Sequence, residues 1–328
     1  MLVLSRRDVE ELLDLDALVD VVAAAMVDLS AGRASMPPRG AAMVDDRDAF
    51  LGSMPAYVPS LDALASKLVT LFPHNEGGDL PTHQALIAVF DPEDGRPTAL
   101  LDGTHITAAR TAAGSALSVR LLARDDASVL AVLGTGVQAR AHARAVARVR
   151  TLTELRLAGR DPGRTEAAAA DLADELGLPA RAASTYADAL AGADVVCACT
   201  HALEPVVRRE WLSPGAHVTS VGYNPNGREL DDATVADALV VVESRASALA
   251  PVPAGSNDLN GPIEAGLIGP GHVHAELGEL ATGTRPGRAD REQITLYKSV
   301  GVAVQDAAAA ALVLAAARER GMGLEIDV

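Results

Sequence analysis

The sequence predicts a two-domain α/β protein, and three observations carry that reading. An apolar run, Val129-Leu130-Ala131-Val132-Leu133, breaks into the turn Gly134-Thr135-Gly136-Val137-Gln138-Ala139, and an Ala- and Arg-rich helical stretch follows at 142–150. From Ser128 onward strand-like and helix-like segments alternate, which implies a parallel sheet with helices on both faces. Before that point, short extended pieces separated by turns replace the alternation. Together these features define a Rossmann-type dinucleotide-binding domain preceded by an α+β domain.

In chain order, residues 5–31 have helical spacing, with Val9, Leu12, Leu13, Leu15, Leu18, Val19, Val22 and Met26 recurring at three and four. Ser5 is a cap and Asp8 an acid for the first turn. After Gly32 come the extended pieces Met36-Pro37-Pro38-Arg39, 49–54, 65–72 and 84–90. Segment 91–97 has the composition of a hairpin turn, 98–101 is its returning strand, and a helix spans about 107–123. The alternating part reads as strand 129–133, helix 138–149, strand 154–158 and helix 163–176, which Gly177 stops. Then come 180–182, helix 186–191, strand 194–199, strand 217–221, helix 231–237 and strand 239–243. The stretch 293–320 reads as one long Ala-rich helix that returns to cover the first domain. The expected division is 1–123 with 303–328 for the α+β domain and 124–302 for the Rossmann domain.

Composition limits the partners. Lys plus Arg number 28 against 44 Asp plus Glu, a formal charge of −16. Such a surface repels nucleic acid and anionic membranes, so neither is an expected partner. Any anionic ligand must then be met by locally placed cations and backbone N–H groups. Two cysteines, Cys197 and Cys199, are too few for a structural zinc site and fit a reducing compartment. Arg6, Arg7, Asp8, Glu10 and Glu11 interrupt any signal-peptide core, and the apolar run 307–317 is too short to span a bilayer. A cytoplasmic protein is expected. The eight histidines are scattered without metal-ligand spacing, so no metal is expected.

The glycine turn has a mechanical reading. Gly134 permits the tight turn, Gly136 lets the backbone approach the pyrophosphate at the helix N-terminus, and Ala139 allows close helix–strand packing. The second strand ends in Arg156-Leu157-Ala158-Gly159-Arg160-Asp161. An acid at its tip would bind the ribose hydroxyls and favour NAD. Gly159 stands there instead, followed by Arg160, whose guanidinium could pair with a 2′-phosphate, while Asp161 opens the next turn with Pro162. The reading favours NADP over NAD.

Three cations in the first half sit in unusual settings. Arg39 follows the stiff Met36-Pro37-Pro38 segment. Lys67 lies in the apolar strand Leu64-Ala65-Ser66-Lys67-Leu68-Val69. Arg110 lies among small residues in Ile106-Thr107-Ala108-Ala109-Arg110-Thr111-Ala112-Ala113-Gly114. Each could pair with a structural acid or reach water along its own stem. Three together, in a chain short of positive charge, point to a carboxylate-binding site.

The fragments Lys67-Leu-Val-Thr-Leu-Phe-Pro73-His-Asn75, Leu80-Pro81-Thr82-His83-Gln84, Leu101-Asp102-Gly103, Thr107-Ala-Ala-Arg110-Thr111-Ala-Ala and Tyr297-Lys298-Ser299-Val300-Gly301 carry a family resemblance. With Gly134-Thr-Gly-Val-Gln-Ala139, they resemble the ornithine cyclodeaminase/μ-crystallin family over nearly the whole chain. The resemblance implies a homodimer whose first domain, completed by the C-terminal helix, supplies substrate binding and dimer contacts. It implies a nicotinamide cofactor on the Rossmann domain and hydride transfer in the cleft between the two. By position, Arg39, Lys67 and Arg110 match residues that hold the substrate carboxylate, and Lys67 is the candidate proton donor. Thr82, Thr111, Val137, Gln138, Thr200 and Ser299 match cofactor contacts, with Arg110, Gly134, Gly136, Arg160 and Val221 beside them. Val300 matches a substrate contact.

One departure bears on the reaction. Cyclodeaminases of this family carry an aspartate after the strand corresponding to 217–221, where it binds the substrate amine and assists its deprotonation. This chain has Val221-Gly222-Tyr223-Asn224, placing Asn224 at or next to that catalytic position. An amide is no general base at neutral pH. Glu229, Asp231 and Asp232 are nearby and read as the cap and first turn of the next helix. The expected function is therefore an NAD(P)-dependent oxidoreductase that reduces a small α-imino acid, cyclic imines included, or oxidises the corresponding α-amino acid. The alternatives are an ornithine or lysine cyclodeaminase using recycled NAD, and a non-enzymatic NADP-binding protein of the μ-crystallin kind.

Overall fold

The computed structural model describes residues 1–75, 77–224 and 226–327. The chain divides into two compact units, one formed by 1–110 with the segment from Val302 on, the other by 111–301.

In the first unit, the capping box forms at Ser5: its backbone N–H donates to Asp8 Oδ2 (2.9 Å) and the Asp8 N–H donates to Ser5 Oγ (3.3 Å). The helical stretch expected from 5 to 31 is two helices, Arg6–Leu12 and Leu15–Ser30. Asp14 makes the break, because its carboxylate accepts from Ala17 N–H (2.8 Å) and starts a second helix. Seven strands form a sheet in the order Leu324–Glu325, Leu2–Leu4, Pro97–Asp102, His83–Phe90, Ala63–Leu71, Ala49–Val58 and Gly40–Val44. Leu2–Leu4 runs parallel to Pro97–Asp102, and every other pair is antiparallel.

One face of this sheet is covered. Leu18, Val19, Val22 and Met26 of helix Leu15–Ser30 are buried, and helix Ala303–Arg320 packs on both that helix and strands Ala49–Val58 and Ala63–Leu71. The alanines of Ala303–Arg320 let it approach the sheet closely, so the C-terminal segment does return to the first unit. The other face is apolar and open. Leu68 pairs with Leu86, and Leu51 lies opposite Thr70, so all three leucines point away from the helices. Their exposures are 44 % for Leu51, 41 % for Leu68 and 48 % for Leu86.

The second unit is an eight-stranded, wholly parallel sheet in the order Val273–Glu276, Leu239–Val242, Thr295–Lys298, His217–Ser220, Val195–Ala198, Val129–Leu133, Glu154–Ala158 and Ala180–Ala182. Strand order reverses between Val129–Leu133 and Val195–Ala198, the switch point at which such sheets bind nucleotides. The long helix expected over 293–320 is corrected here. Thr295–Lys298 is an interior strand with all four residues buried, and the helix begins only at Ala303. Four apolar-rich residues cannot be told from a buried helical turn by period alone, and Gly301, at φ +71°, separates the two elements. The stretch 244–281, without a readable period, holds helix Asn257–Glu264 and the edge strand Val273–Glu276. Helix Gly103–Leu122 straddles the division, which falls at 110 where the sequence put it after 123. The reason is that Val119 and Ala123 belong to the core built on Leu130, Val132, Leu155 and Leu157. No helix among the described residues is long and apolar enough to cross a membrane.

Candidate functional site

The first unit holds a cluster of buried charge. Lys67 lies on the helix-covered face of strand Ala63–Leu71, flanked in register by the apolar Met54 and Ile87. Its ammonium sits 2.9 Å from Asp306 Oδ1 and 2.8 Å from Oδ2. Arg110 donates from Nε to Asp306 Oδ1 (3.0 Å) and from Nη1 to Gln305 Oε1 (2.8 Å). Asp306 and Gln305 belong to the first turns of helix Ala303–Arg320, and all four side chains are buried. Arg110 reaches them because helix Gly103–Leu122 packs tightly on the sheet: a Cβ at Gly103 would stand 3.0 Å from the Ala85 backbone.

Burial pushes the Lys67 amine down to about 8; Asp306 opposes that shift, while Arg110 and Arg39 reinforce it. The field of Arg39 is therefore felt at Lys67, although Arg39 itself is on an exposed segment. Asp306 is held below the usual carboxylate range: burial works against its charge, and Arg110 and Lys67 outweigh it. Two buried cations against one buried carboxylate leave the Lys67–Arg110–Asp306 set with an excess of positive charge. Gln305 Nε2, buried and without a hydrogen-bond partner, is a further donor.

The second unit carries the glycine turn. Gly134, at φ +109°, is required twice: an added Cβ would also lie 2.6 Å from the Cys199 carbonyl oxygen on the neighbouring strand end. Gly136 is the N-cap of helix Val137–Val149, with no side-chain cap and open space around its Cβ position. That leaves the first N–H groups of a thirteen-residue helix for an anion. Val137 is 71 % exposed, and Gln138 Oε1 is buried without a partner. These residues fit a dinucleotide pyrophosphate.

Arg160 is exposed at the tip of strand Glu154–Ala158. A Cβ at Gly159 would press on Thr165 Oγ1 at 2.9 Å and Thr135 Cγ2 at 3.0 Å, so the tip has no room for an acid side chain in this backbone. Asp161 is taken up in capping helix Pro162–Leu176, accepting from Arg164 N–H (3.0 Å).

The strand ends beyond the switch point are held by a second buried network. Glu229 Oε1 accepts from Thr200 N–H (2.6 Å) and Thr200 Oγ1 (2.7 Å), and Oε2 from Ser220 Oγ (2.7 Å) and Gly222 N–H (2.8 Å). Lys298 Nζ is 2.9 Å from Asp258 Oδ2 and donates to Ser220 Oγ and the Gly222 carbonyl, both at 3.0 Å. Burial disfavours the Lys298 charge, but Asp258 and Glu229 more than offset it and raise its pKa. Glu243 accepts from Ser299 Oγ (2.5 Å), Val300 N–H (3.1 Å) and Gly301 N–H (3.0 Å). Val221 N–H donates to the Ala198 carbonyl (3.0 Å).

The sequence candidates thus fall into two sets. Lys67 and Arg110 meet on Asp306 in the first unit, and the charge of Arg39 adds to the positive field at Lys67. Gly134, Gly136, Val137 and Gln138 form the turn, and Thr200, Val221 and Ser299 lie at the ends of successive neighbouring strands. Thr111 follows Arg110 and is buried. Thr82 precedes strand His83–Phe90, at the Leu71 end of its ladder and not beside Lys67. Asn224 Nδ2 donates to the His201 carbonyl (3.1 Å) and Oδ1 accepts from Asn226 N–H (2.9 Å). Glu229 needs a correction: it is buried at the core of the strand-end network and not in the first turn of the next helix. Asp231 does cap helix Asp232–Asp237, and Asp232 pairs with Arg228.

Sequence reading missed Asp306, Glu229, Asp258, Glu243 and Lys298 as site residues. A signal existed for two of them. Asp306 is the one acid in Ala303-Val-Gln-Asp-Ala-Ala-Ala-Ala-Ala, and Lys67 and Lys298 are the only lysines in the sequence. Both lysines are 2 % exposed.

A nucleotide turn in one unit and a buried cationic cluster in the other fit one class, a nicotinamide-dependent oxidoreductase of small amino or imino acids. The ornithine cyclodeaminase/mu-crystallin family model matches residues 1–321, and this chain belongs to that family. It is 38 % identical over 283 residues to the ketimine reductase mu-crystallin of Mus musculus, covering 86 % of this chain and 85 % of that protein. The structure of Thermococcus litoralis Delta(1)-pyrroline-2-carboxylate reductase, in complex with NADH and L-proline, superposes with a TM-score of 0.94 at 37 % identity, over 99 % of this chain and 100 % of that one. An archaeal alanine dehydrogenase dimer with bound NAD superposes with a TM-score of 0.91 at 30 % identity, over 100 % and 99 % of the two chains.

Replacing Gly136 by Val should weaken binding of the reduced nicotinamide dinucleotide roughly tenfold or more, since the side chain would project where the phosphates approach. Because nothing in the protein lies near that Cβ position, the thermal midpoint should stay unchanged. Fluorescence titration and a melting curve on the same sample check both halves.

Proposed function

We propose that this chain reduces a small α-imino acid, a pyrroline- or piperideine-carboxylate among the candidates, to the corresponding α-amino acid, and catalyses the reverse oxidation at the same site. It is an NAD(P)-dependent oxidoreductase of the imine-reductase type. The observation that carries the reading is the buried Lys67 ammonium beside Arg110, within the field of Arg39. The two guanidiniums and the ammonium hold the substrate carboxylate and fix the orientation of the C=N bond. The nicotinamide supplies hydride when bound. Lys67 would supply the proton that balances the reduction: its Nζ–H bond would break as a new N–H bond forms at the substrate nitrogen. Lys67 then regains its proton from water.

The surroundings of Asn224 support reduction over ammonia release. Its amide is committed to the loop, and each nearby acid has other work: Glu229 accepts four hydrogen bonds, Asp231 caps a helix and Asp232 pairs with Arg228. Arg160, the cramped Gly159 and the capping role of Asp161 support NADP as the preferred cofactor. The open leucine face of the first unit supports a homodimer formed through that sheet, in keeping with the dimeric archaeal relative.

With a panel of cyclic imino acids, NADPH consumption should be stoichiometric, and ornithine or lysine with trace NAD should release no ammonia; the opposite pattern sinks the reading. Lys67→Ala should lower kcat/KM by roughly 10²–10⁴-fold with nucleotide affinity intact. In the wild type, kcat/KM for reduction should fall as pH rises through about 8, where the donor loses its proton. Arg160→Ala should raise the KM for NADPH roughly tenfold while sparing NADH; equal effects on both cofactors would remove the 2′-phosphate contact. The wild type should sediment as a dimer and Leu68→Asp as a monomer, and a monomeric wild type would rule out the sheet interface.

A further inference from the structure

We propose that Asp306 is the positioning residue of the reductase: its single carboxylate holds the Lys67 ammonium and the Arg110 guanidinium in one rigid arrangement and keeps Lys67 charged as the proton donor. The proposal rests on the imine-reductase reading for its consequence in turnover, and on geometry for its cause. Both cations meet the same oxygen, Oδ1, at 2.9 Å and 3.0 Å, while Oδ2 stands 2.8 Å from the ammonium. The three side chains come from three elements far apart in sequence: strand Ala63–Leu71, helix Gly103–Leu122 and helix Ala303–Arg320. Packing brings the three elements together, and the shared carboxylate ties the two cationic side chains directly to each other.

Charge balance points the same way. The groups that act on Lys67 are Asp306 from the C-terminal helix, Arg110 from the central helix and Arg39 from the segment before strand Gly40–Val44. Met54 and Ile87, its partners on the two flanking strands, are uncharged. Asp28, the buried acid of helix Leu15–Ser30, is taken by Arg33 and the Ser60 N–H. Among the described residues, Asp306 is thus the acid that pairs with an ammonium which burial and two guanidiniums push toward the neutral amine. Without it, Lys67 would be driven further toward the neutral amine, and Arg110 would lose the contact that aims it. Asp306 touches neither hydride nor substrate in this scheme; it acts through Lys67 and Arg110.

The composition of the chain provides the test. With Lys67 and Lys298 as the only lysines, full-length protein carrying lysine labelled with ¹³C at Cε and ¹⁵N at Nζ gives two side-chain signals, and Lys67→Arg assigns them. In the wild type, the Lys67 signal should titrate near 8. In Asp306→Asn, that midpoint should drop by about one pH unit or more, and the alkaline limb of kcat/KM should move down with it. The Lys298 signal and NADPH affinity should stay in place. A folded Asp306→Asn protein whose Lys67 midpoint matches the wild type overturns the proposal, as does a shifted midpoint that the pH–rate profile does not follow. Should Asp306→Asn fail to fold, Asp306→Glu decides. Its carboxylate keeps the charge but reaches one methylene further, so the Lys67 midpoint should hold while the KM for the imino acid rises several-fold, and wild-type values of both would overturn the role. The titration needs no substrate. A wild type that reduces no imino acid would sink the functional reading and leave the Lys67–Asp306 coupling to be judged on the labelled lysine.

Discussion

The first unit is organised around one carboxylate between two cations. Burying Lys67 and Arg110 is unfavourable by several kcal/mol per ion unless each finds a partner, and Asp306 serves both. Removing one partner of such a buried set typically costs about 3–5 kcal/mol, because the remaining charges lie where water cannot reach. That makes the docking of helix Ala303–Arg320 an electrostatic requirement as well as a packing preference. Its alanines allow close approach to the sheet, and Asp306 settles which turn of the helix lies over Lys67. The same contact leaves the cluster with net positive charge, which suits an enzyme whose surface is otherwise strongly acidic. Long-range steering by the protein's overall charge would repel a carboxylate substrate, so attraction has to be local.

The second unit solves a related problem differently. Glu229 collects Thr200, Ser220 and Gly222 onto one side chain, and Lys298 ties Ser220 and Gly222 to Asp258. The effect is to fix the ends of strands Val195–Ala198 and His217–Ser220 relative to each other. Gly222 must be glycine for this, since a Cβ there would collide with the Glu229 carboxylate. Such fully satisfied networks rigidify the groups they hold. Lys298 stays charged as a strut, whereas Lys67 is poised to lose its proton. The two lysines do opposite electrostatic work because one has acids on several sides and the other has one acid against two guanidiniums.

Much of this molecule was legible in its sequence. Strands Val129–Leu133 and Glu154–Ala158 and the turn between Leu133 and Val137 have local causes: apolar runs, glycines of defined φ, and caps such as Ser5 and Asp161. The three cations stood out for a local reason too, since each interrupts an apolar, stiff or small-residue context. Local pattern failed where two signals competed. Asp14 reads as one more polar residue on a helix face, yet it caps a second helix; Thr295–Lys298 reads as the start of a long helix, yet it completes the interior of a sheet.

What the sequence determined by itself, then, is the pair of domain types, the nucleotide turn, the basic residues in unusual settings and the family. Those features depend on residues within a turn or two of one another, or on motifs kept in order along the chain. The tertiary structure alone decided which acid answers which base. Asp306 lies 239 positions from Lys67 and 196 from Arg110, and Glu229 lies 29 from Thr200. An acid in an alanine helix carries no local mark of its partner, because ion pairing is set by distance in space, which only the packed chain supplies.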